Sequence, residues 1–334
     1  MISEDTIIAR YFAPISGNGA LGLLDDAAML PPPPGHDLVL TKDALVSGVH
    51  FFADDPPASI ARKALRVNLS DLAAKGAVPA GFLLAMALPR GIDESWIAAF
   101  ASALGEDARA YACPLLGGDT VKASGGLTLS ITALGYCPAG GMVQRTKGKP
   151  GHALMVTGTI GDAALGLQVR LKPEAEWVCG LSDHKRHFLV DRYLHPRPRT
   201  ALTDVIRAHA SAAMDVSDGL LGDAVKLASS AGAHGIRCAA AIDLGQIPLS
   251  PAAREALRLQ PSLITTIATG GDDYEVLMAV DERVVPALAD ACAQLGCPAT
   301  RIGSLIDGTA PAFTGLNGAS MTFDALKFEH DWQV

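Results

Sequence analysis

Six aspartates, Asp26, Asp43, Asp71, Asp119, Asp215 and Asp218, stand where an acid can reach a ligand as readily as solvent. Ile60, Ala64, Val67 and Asp71 recur at helical spacing, so an apolar stripe runs into a carboxylate. Burying that charge costs several kcal/mol unless a basic group, backbone donors or a metal meets it. A capping role competes with this reading, with Ser70 or Asp71 opening a second helical segment after a bend at Asn68. Asp119 follows Gly117-Gly118, where the missing side chains let backbone approach a bound group. Asp215 and Asp218 bracket a turn between a short apolar strand and a helix, and Asp218, taken alone, reads first as a helix cap. Asp43 ends a strand over 38–41, and Asp26 belongs to an adjacent acidic pair, Asp25-Asp26, of a kind that is usually solvated.

If four of these acids converge, mutual repulsion forbids a bare cluster, and divalent cations resolve it. Ligation by oxygen alone favours magnesium, manganese or calcium over zinc, and magnesium normally shares its coordination with substrate phosphates. That chemistry suggests phosphoryl transfer, where catalysis is mainly positioning and charge neutralisation and no protein nucleophile is obligatory. The chain carries no GxxxxGK[ST] loop and no protein-kinase signature set.

The elements that must position these acids alternate between strand and helix patterns. Strands are expected over 38–41, 81–88, 114–116, 127–135, 153–157, 212–216, 276–280 and 299–304. Helices are expected from Pro57 to a stop at Gly76 and over 93–112, 163–171, 188–194, 201–209, 220–230 and 284–295. A segment rich in β-branched and aromatic residues, 46–52, carries His50. Gly17-Asn18-Gly19-Ala20-Leu21-Gly22 has GxGxxG spacing, but no strand precedes it and no helix follows, so a loop is expected and a dinucleotide site rejected. A Gly/Pro-rich basic stretch over 140–151 marks a boundary between two α/β halves, 1–148 and 149–334.

With 334 residues, two domains are the default. Hydrophobic residues make up 49% and charged ones 19%, with no apolar run long enough to span a bilayer and no secretory signal pattern at the start, so neither a membrane nor secretion is expected. A net charge of −8 has the wrong sign for a non-specific nucleic-acid binder. Six cysteines without a CxxC pair fit a reducing cytoplasm better than a disulfide framework or a zinc site.

Six blocks in order carry a resemblance: 25–28 (DDAA), 43–51 (DALVSGVHF), 67–74 (VNLSDLAA), 117–120 (GGDT), 215–220 (DVSDGL) and 270–275 (GGDDYE). Together they resemble the thiamine-monophosphate kinase family of the aminoimidazole-ribonucleotide-synthetase-like superfamily. The resemblance implies an α/β fold of the α+β type, with a 1–148 domain that binds ATP and Mg2+ and dimerises through its sheet, and a 149–334 α/β domain. It implies transfer of the ATP γ-phosphoryl group to thiamine monophosphate, several Mg2+ ions per site, a homodimer, and a cleft between domains. Asp26, Thr41, Asp43, Asp71, Asp119, Asp215 and Asp218 match the family's magnesium positions. Gly118, Asp119, Arg145 and Ser217 match ATP contacts, while His50, Asp272 and Phe328 match substrate contacts, an aromatic ring at Phe328 suiting a flat cationic thiazolium.

Three positions depart from the family pattern: Lys42 replaces a threonine, Ala101 a tyrosine, and Asp272 a glutamate. An inactive or altered-specificity Mg/nucleotide-binding paralogue is the alternative. A selenophosphate-synthetase-like role lacks its early cysteine, the first being Cys113. A hydrogenase-maturation role lacks a terminal cysteine, the chain ending Trp332-Gln333-Val334. Aminoimidazole-ribonucleotide synthetase matches the 43–51 and 270–275 blocks less well.

Overall fold

Strand β4 (Thr128–Pro138) alternates half-exposed and buried residues along nearly its whole length, as a strand with one packed face must. It sits within a four-stranded sheet ordered β1-β4-β2-β3, with β1 (His36–Val46), β2 (Val78–Leu88) and β3 (Leu115–Lys122). The β1–β4 and β2–β4 pairings are antiparallel, and β2–β3 is parallel. The parallel step needs a crossover, supplied by the helix Glu94–Ala110, which Asp93 caps through the Trp96 amide. The computed structural model describes residues 3–327, so Phe328 lies outside the described residues.

The chain divides into two compact units. The first holds the residues up to Leu72 together with Ala77–Met142; the second holds Ala73–Gly76 and the chain from Val143 onward. In the first unit the helix Pro57–Ala74 buries Ile60, Ala61, Ala64, Leu65, Leu69 and Leu72. It runs without the bend anticipated at Asn68. Asn68 is fully buried; its side-chain amide donates to the Ala64 carbonyl and its Oδ1 accepts from the Asp43 amide at 3.0 Å. The helix interior is thereby tied to β1 at the position of a candidate ligand.

The second unit is built on a seven-stranded sheet ordered β11-β10-β7-β9-β5-β8-β6. Its strands are β5 (Ala153–Thr157), β6 (Ala212–Asp215), β7 (Cys238–Asp243), β8 (Val276–Val280), β9 (Ala299–Asp307), β10 (Ala312–Thr314) and β11 (Ser320–Met321). Every residue of β5, β6 and β8 is buried, because alternate side chains enter two different cores. Leu154, Val156, Met214, Leu277 and Ala279 belong to one core; Met155, Ala213, Val276, Met278 and Val280 belong to the other.

Three local expectations change. Gly117-Gly118-Asp119-Thr120 lies inside β3, not in a loop after it. A Cβ at Gly118 would collide with the Leu84 carbonyl, so that glycine permits close strand pairing. The residues Asn18–Leu23 form 3-10 helical turns that reverse at Leu21 and Gly22, both with positive φ, and the Gly19 carbonyl accepts from the Met29 amide. Strand β7 and the helices Pro251–Leu259 and Leu263–Thr269 were not anticipated, since the alanine-rich β7 carries little strand signal.

Candidate functional site

The pleat of the first sheet divides the candidate ligands between its two faces. Asp43 is in register with Ile131, Leu84 and Gly118, and Ile131 and Leu84 are buried, so this row faces the helices. Ala44, Ser130, Ala85 and Asp119 form the neighbouring row on the outer face. Asp43 and Asp119 therefore stand within their strands, on opposite faces of the sheet.

On the helix side, the Thr41 hydroxyl donates to Asp71 Oδ2 at 2.5 Å, joining β1 to the last turns of the helix Pro57–Ala74. Asp71 is half-buried and Asp43 is anchored through Asn68, so Thr41, Asp43 and Asp71 form one local group. His50 lies in the turn after β1, where its Nδ1 accepts from the Val46 amide at 3.0 Å and its carbonyl accepts from Lys63 Nζ at 2.9 Å. That hydrogen bond fixes the ring and leaves Nε2 as the nitrogen directed away from the backbone.

The outer side carries a cleft of about 500 Å3 between the N-terminal segment and the face of the first sheet. Asp25, Asp26, Lys42, Gly118, Asp119 and Thr132 line it together with Phe12 and Leu83. Neither Asp26 nor Asp119 forms an ion pair among the described residues, while Lys42 Nζ reaches Thr132 Oγ1 at 3.5 Å. Lys42, a departure from the family pattern, thus shares the cleft with the acids. Among the described residues no three carboxylate, imidazole or thiol groups come close enough to hold a metal ion. Ala101 is buried inside the helix Glu94–Ala110.

In the second unit two acidic loops are stitched together. Strand β6 ends at Asp215, opposite Val276 of β8. Beyond it the Val216 amide donates to the Glu275 carbonyl at 2.8 Å, the Asp272 amide to the Ser217 carbonyl at 2.9 Å, and the Tyr274 amide to the Val216 carbonyl at 2.8 Å. Asp215, Ser217, Asp218 and Asp272 are brought onto one platform. Asp272 (φ 73°) and Tyr274 (φ 51°) occupy the left-handed region that non-glycine residues seldom adopt. Asp218 pairs with Lys226 at 3.6 Å, and Arg145 opens a short 3-10 turn, half-buried.

The strained loop is held from below by residues that sequence reasoning passed over. Glu275 is fully buried and accepts from Thr157 Oγ1 at 2.7 Å, Arg192 Nη2 at 3.1 Å and both arms of Arg199, the Nε at 2.6 Å. Asp273 accepts from the Gly161 amide at 2.7 Å and the Ala163 amide at 3.4 Å, at the N-terminus of the helix Asp162–Leu171. Burial pushes the Asp273 carboxyl well above the usual range, and burial likewise raises Asp162, which Ser250 and Thr159 hydrogen-bond. Asp223, in the first turn of the helix Leu220–Ser230, is buried and accepts from the Ser217 and Asp218 amides; burial, then the nearby Asp218 charge, pushes its carboxyl up to about 7. The only sequence signal for Asp223 is an acid following Leu220-Leu221-Gly222 at the start of an apolar helix.

Comparison with known proteins places both units. Residues 24–137 match the AIR synthase related protein N-terminal domain, and 149–315 match its C-terminal domain. A thiamine-monophosphate kinase of Caulobacter vibrioides is 45% identical over 306 residues, covering 90% of this chain and 83% of that one. The crystal structure of thiamine-monophosphate kinase from Stenotrophomonas maltophilia superposes with a TM-score of 0.81 at 36% identity, covering 95% and 96% of the two chains. The structure of AaThiL complexed with AMPPCP and TMP superposes with a TM-score of 0.74 at 27% identity, covering 97% and 94%. On shared sequence, shared length and shared fold, this chain belongs to the thiamine-monophosphate kinase family.

Proposed function

We propose that this chain transfers the γ-phosphoryl group of ATP to thiamine monophosphate, giving thiamine diphosphate and ADP. The carrying observation is 45% identity to a kinase of this name over nine-tenths of the chain. An AMPPCP- and TMP-bound relative of the same fold supports ATP as phosphoryl donor and thiamine monophosphate as acceptor.

The donor chemistry fits Mg2+. Every candidate ligand offers oxygen, Asp26 and Asp119 are not neutralised by an ion pair among the described residues, and Asp71 retains a carboxylate oxygen beyond its bond to Thr41. Asp26, Thr41, Asp43, Asp71, Asp119, Asp215 and Asp218 are the residues that would hold it. Bound there, Mg2+ supplies neutralisation of phosphate charge in a loose transition state. The protein's own part is orientation. Gly118 presents bare backbone at the cleft beside Asp119, and Arg145 and Ser217 are the groups to meet the nucleotide. His50, Asp272 and Phe328 are the groups to meet the thiamine substrate, and no protein nucleophile is required.

The residues 1–148 form the ATP- and Mg2+-binding and dimerising part in this reading, and 149–334 the α/β part. Support for a homodimer comes from the outer face of the first sheet, where Leu40 and Val121 are about half exposed. No helix among the described residues is long and apolar enough to cross a membrane. Five of the six cysteines are buried and none is paired among the described residues, which supports a cytoplasmic site of action. The test is ADP release by the purified chain in Mg2+ and ATP. Release that rises hyperbolically with thiamine monophosphate is expected; release indifferent to thiamine monophosphate would refute the assignment.

A further inference from the structure

The turn after β6 is unusual in how completely its backbone is spoken for. The Ser217 amide and the Asp218 amide both donate to Asp223 Oδ2, each at 3.0 Å, while the Ser217 carbonyl accepts from the Asp272 amide at 2.9 Å. The Asp223 amide in turn donates to the Gly219 carbonyl at 2.9 Å, so side chain and main chain of one residue brace the turn from both ends. Gly219, at φ 123°, completes the turn, and a Cβ there would collide with the Thr269 backbone. Two amides converging ahead of a helix are ordinarily an anion site, open to a phosphate. Here a fully buried carboxylate of the protein itself fills it. One acceptor oxygen satisfies two donors, which a neutral or apolar side chain without an oxygen does not do.

Two consequences follow for Ser217. Its N–H is taken, its C=O already accepts from the Asp272 amide, and its Oγ has no partner among the described residues. We infer that Asp223 is a positioning residue for the proposed phosphoryl transfer, locking the turn so that Ser217 meets the nucleotide through its hydroxyl and not through its amide. The inference rests on the kinase reading and deepens it. It distinguishes two ways of binding a phosphate at the same residue, because an amide contact survives any side-chain change and a hydroxyl contact does not.

The test is steady-state kinetics with ATP, Mg2+ and thiamine monophosphate on Ser217→Ala, Ser217→Thr, Asp223→Ala and Asp223→Asn, each checked for an unchanged circular dichroism spectrum. Ser217→Ala is expected to raise KM for ATP about tenfold, the size of one hydrogen bond to a charged group, with KM for thiamine monophosphate nearly unmoved and Ser217→Thr restoring most of the loss. Asp223→Ala is expected to lower kcat and raise KM for ATP together, and Asp223→Asn, which keeps one acceptor oxygen for the two amides, to recover most of both. An unaltered KM for ATP in Ser217→Ala overturns the hydroxyl assignment. A folded Asp223→Ala with wild-type kcat and KM, or losing only melting temperature, overturns the positioning role. Should Asp223→Ala not fold, the positioning role stands or falls on Asp223→Asn: near-wild-type kinetics support it, and a loss as large as that of Ser217→Ala overturns it. If the wild-type chain forms no thiamine diphosphate, the kinase reading fails instead.

Discussion

Arg199 and Glu275 show what a single buried charge pair demands of its surroundings. The Glu275 carboxylate has no exposure at all, and its acceptor capacity is taken up by Arg199, Arg192 and Thr157. Removing one cation leaves a buried carboxylate undercompensated, a change that costs about 3 kcal/mol or more. Arg199→Met is therefore expected to lower unfolding free energy in denaturant by roughly that amount. Arg283→Met, which breaks an ion pair with Asp281 at 87% side-chain exposure, is expected to leave it unchanged within error. Equal effects from the two would contradict the burial argument. These residues sit beneath Asp272 and Tyr274, whose positive φ angles persist because the surroundings over-determine them.

The elements were legible where a pattern is local. The spacing of Ile60, Ala64, Val67 and Asp71 announces the helix Pro57–Ala74, and the apolar run before Asp215 announces β6. Which face of the sheet each acid takes was not legible. That depends on register across four strands, so Asp43 and Asp119, both expected at strand ends or glycine loops, fall on opposite faces. Asp223, Asp273 and Glu275 also escaped, because an acid that serves by accepting backbone or guanidinium donors looks in sequence like any other. Their burial has a pH consequence. Asp273 and Asp162 flank the N-terminus of the helix Asp162–Leu171 with carboxyls raised above the ordinary range, chiefly by desolvation. Each binds its proton more tightly folded than unfolded, so each contributes stability fully present below about pH 4 and lost as the pH rises through its raised value. Unfolding free energy measured from pH 4 upward is expected to contain this decline, and Asp162→Asn is expected to flatten it. An identical slope in the variant would count against the assignment.

At the scale of the molecule, two compact units carry the acids, and the outer face of the first unit's sheet leaves Leu40 and Val121 about half exposed. Leu40, at 60% exposure, lies on the outer face of β1. If that face joins two copies, Leu40→Asp shifts sedimentation from dimer to monomer, with the circular dichroism spectrum unchanged; a wild-type chain sedimenting as a monomer at micromolar concentration would contradict the proposed homodimer. The proposed activity is decided by where one phosphoryl group goes. The direct measurement follows radiolabel from [γ-32P]ATP in the presence of the purified chain, Mg2+ and thiamine monophosphate. The label is expected to appear in thiamine diphosphate in step with ADP, only when metal and acceptor are both present, and never on the protein. Label that stays in ATP, passes to inorganic phosphate, or lodges on the chain would contradict direct transfer.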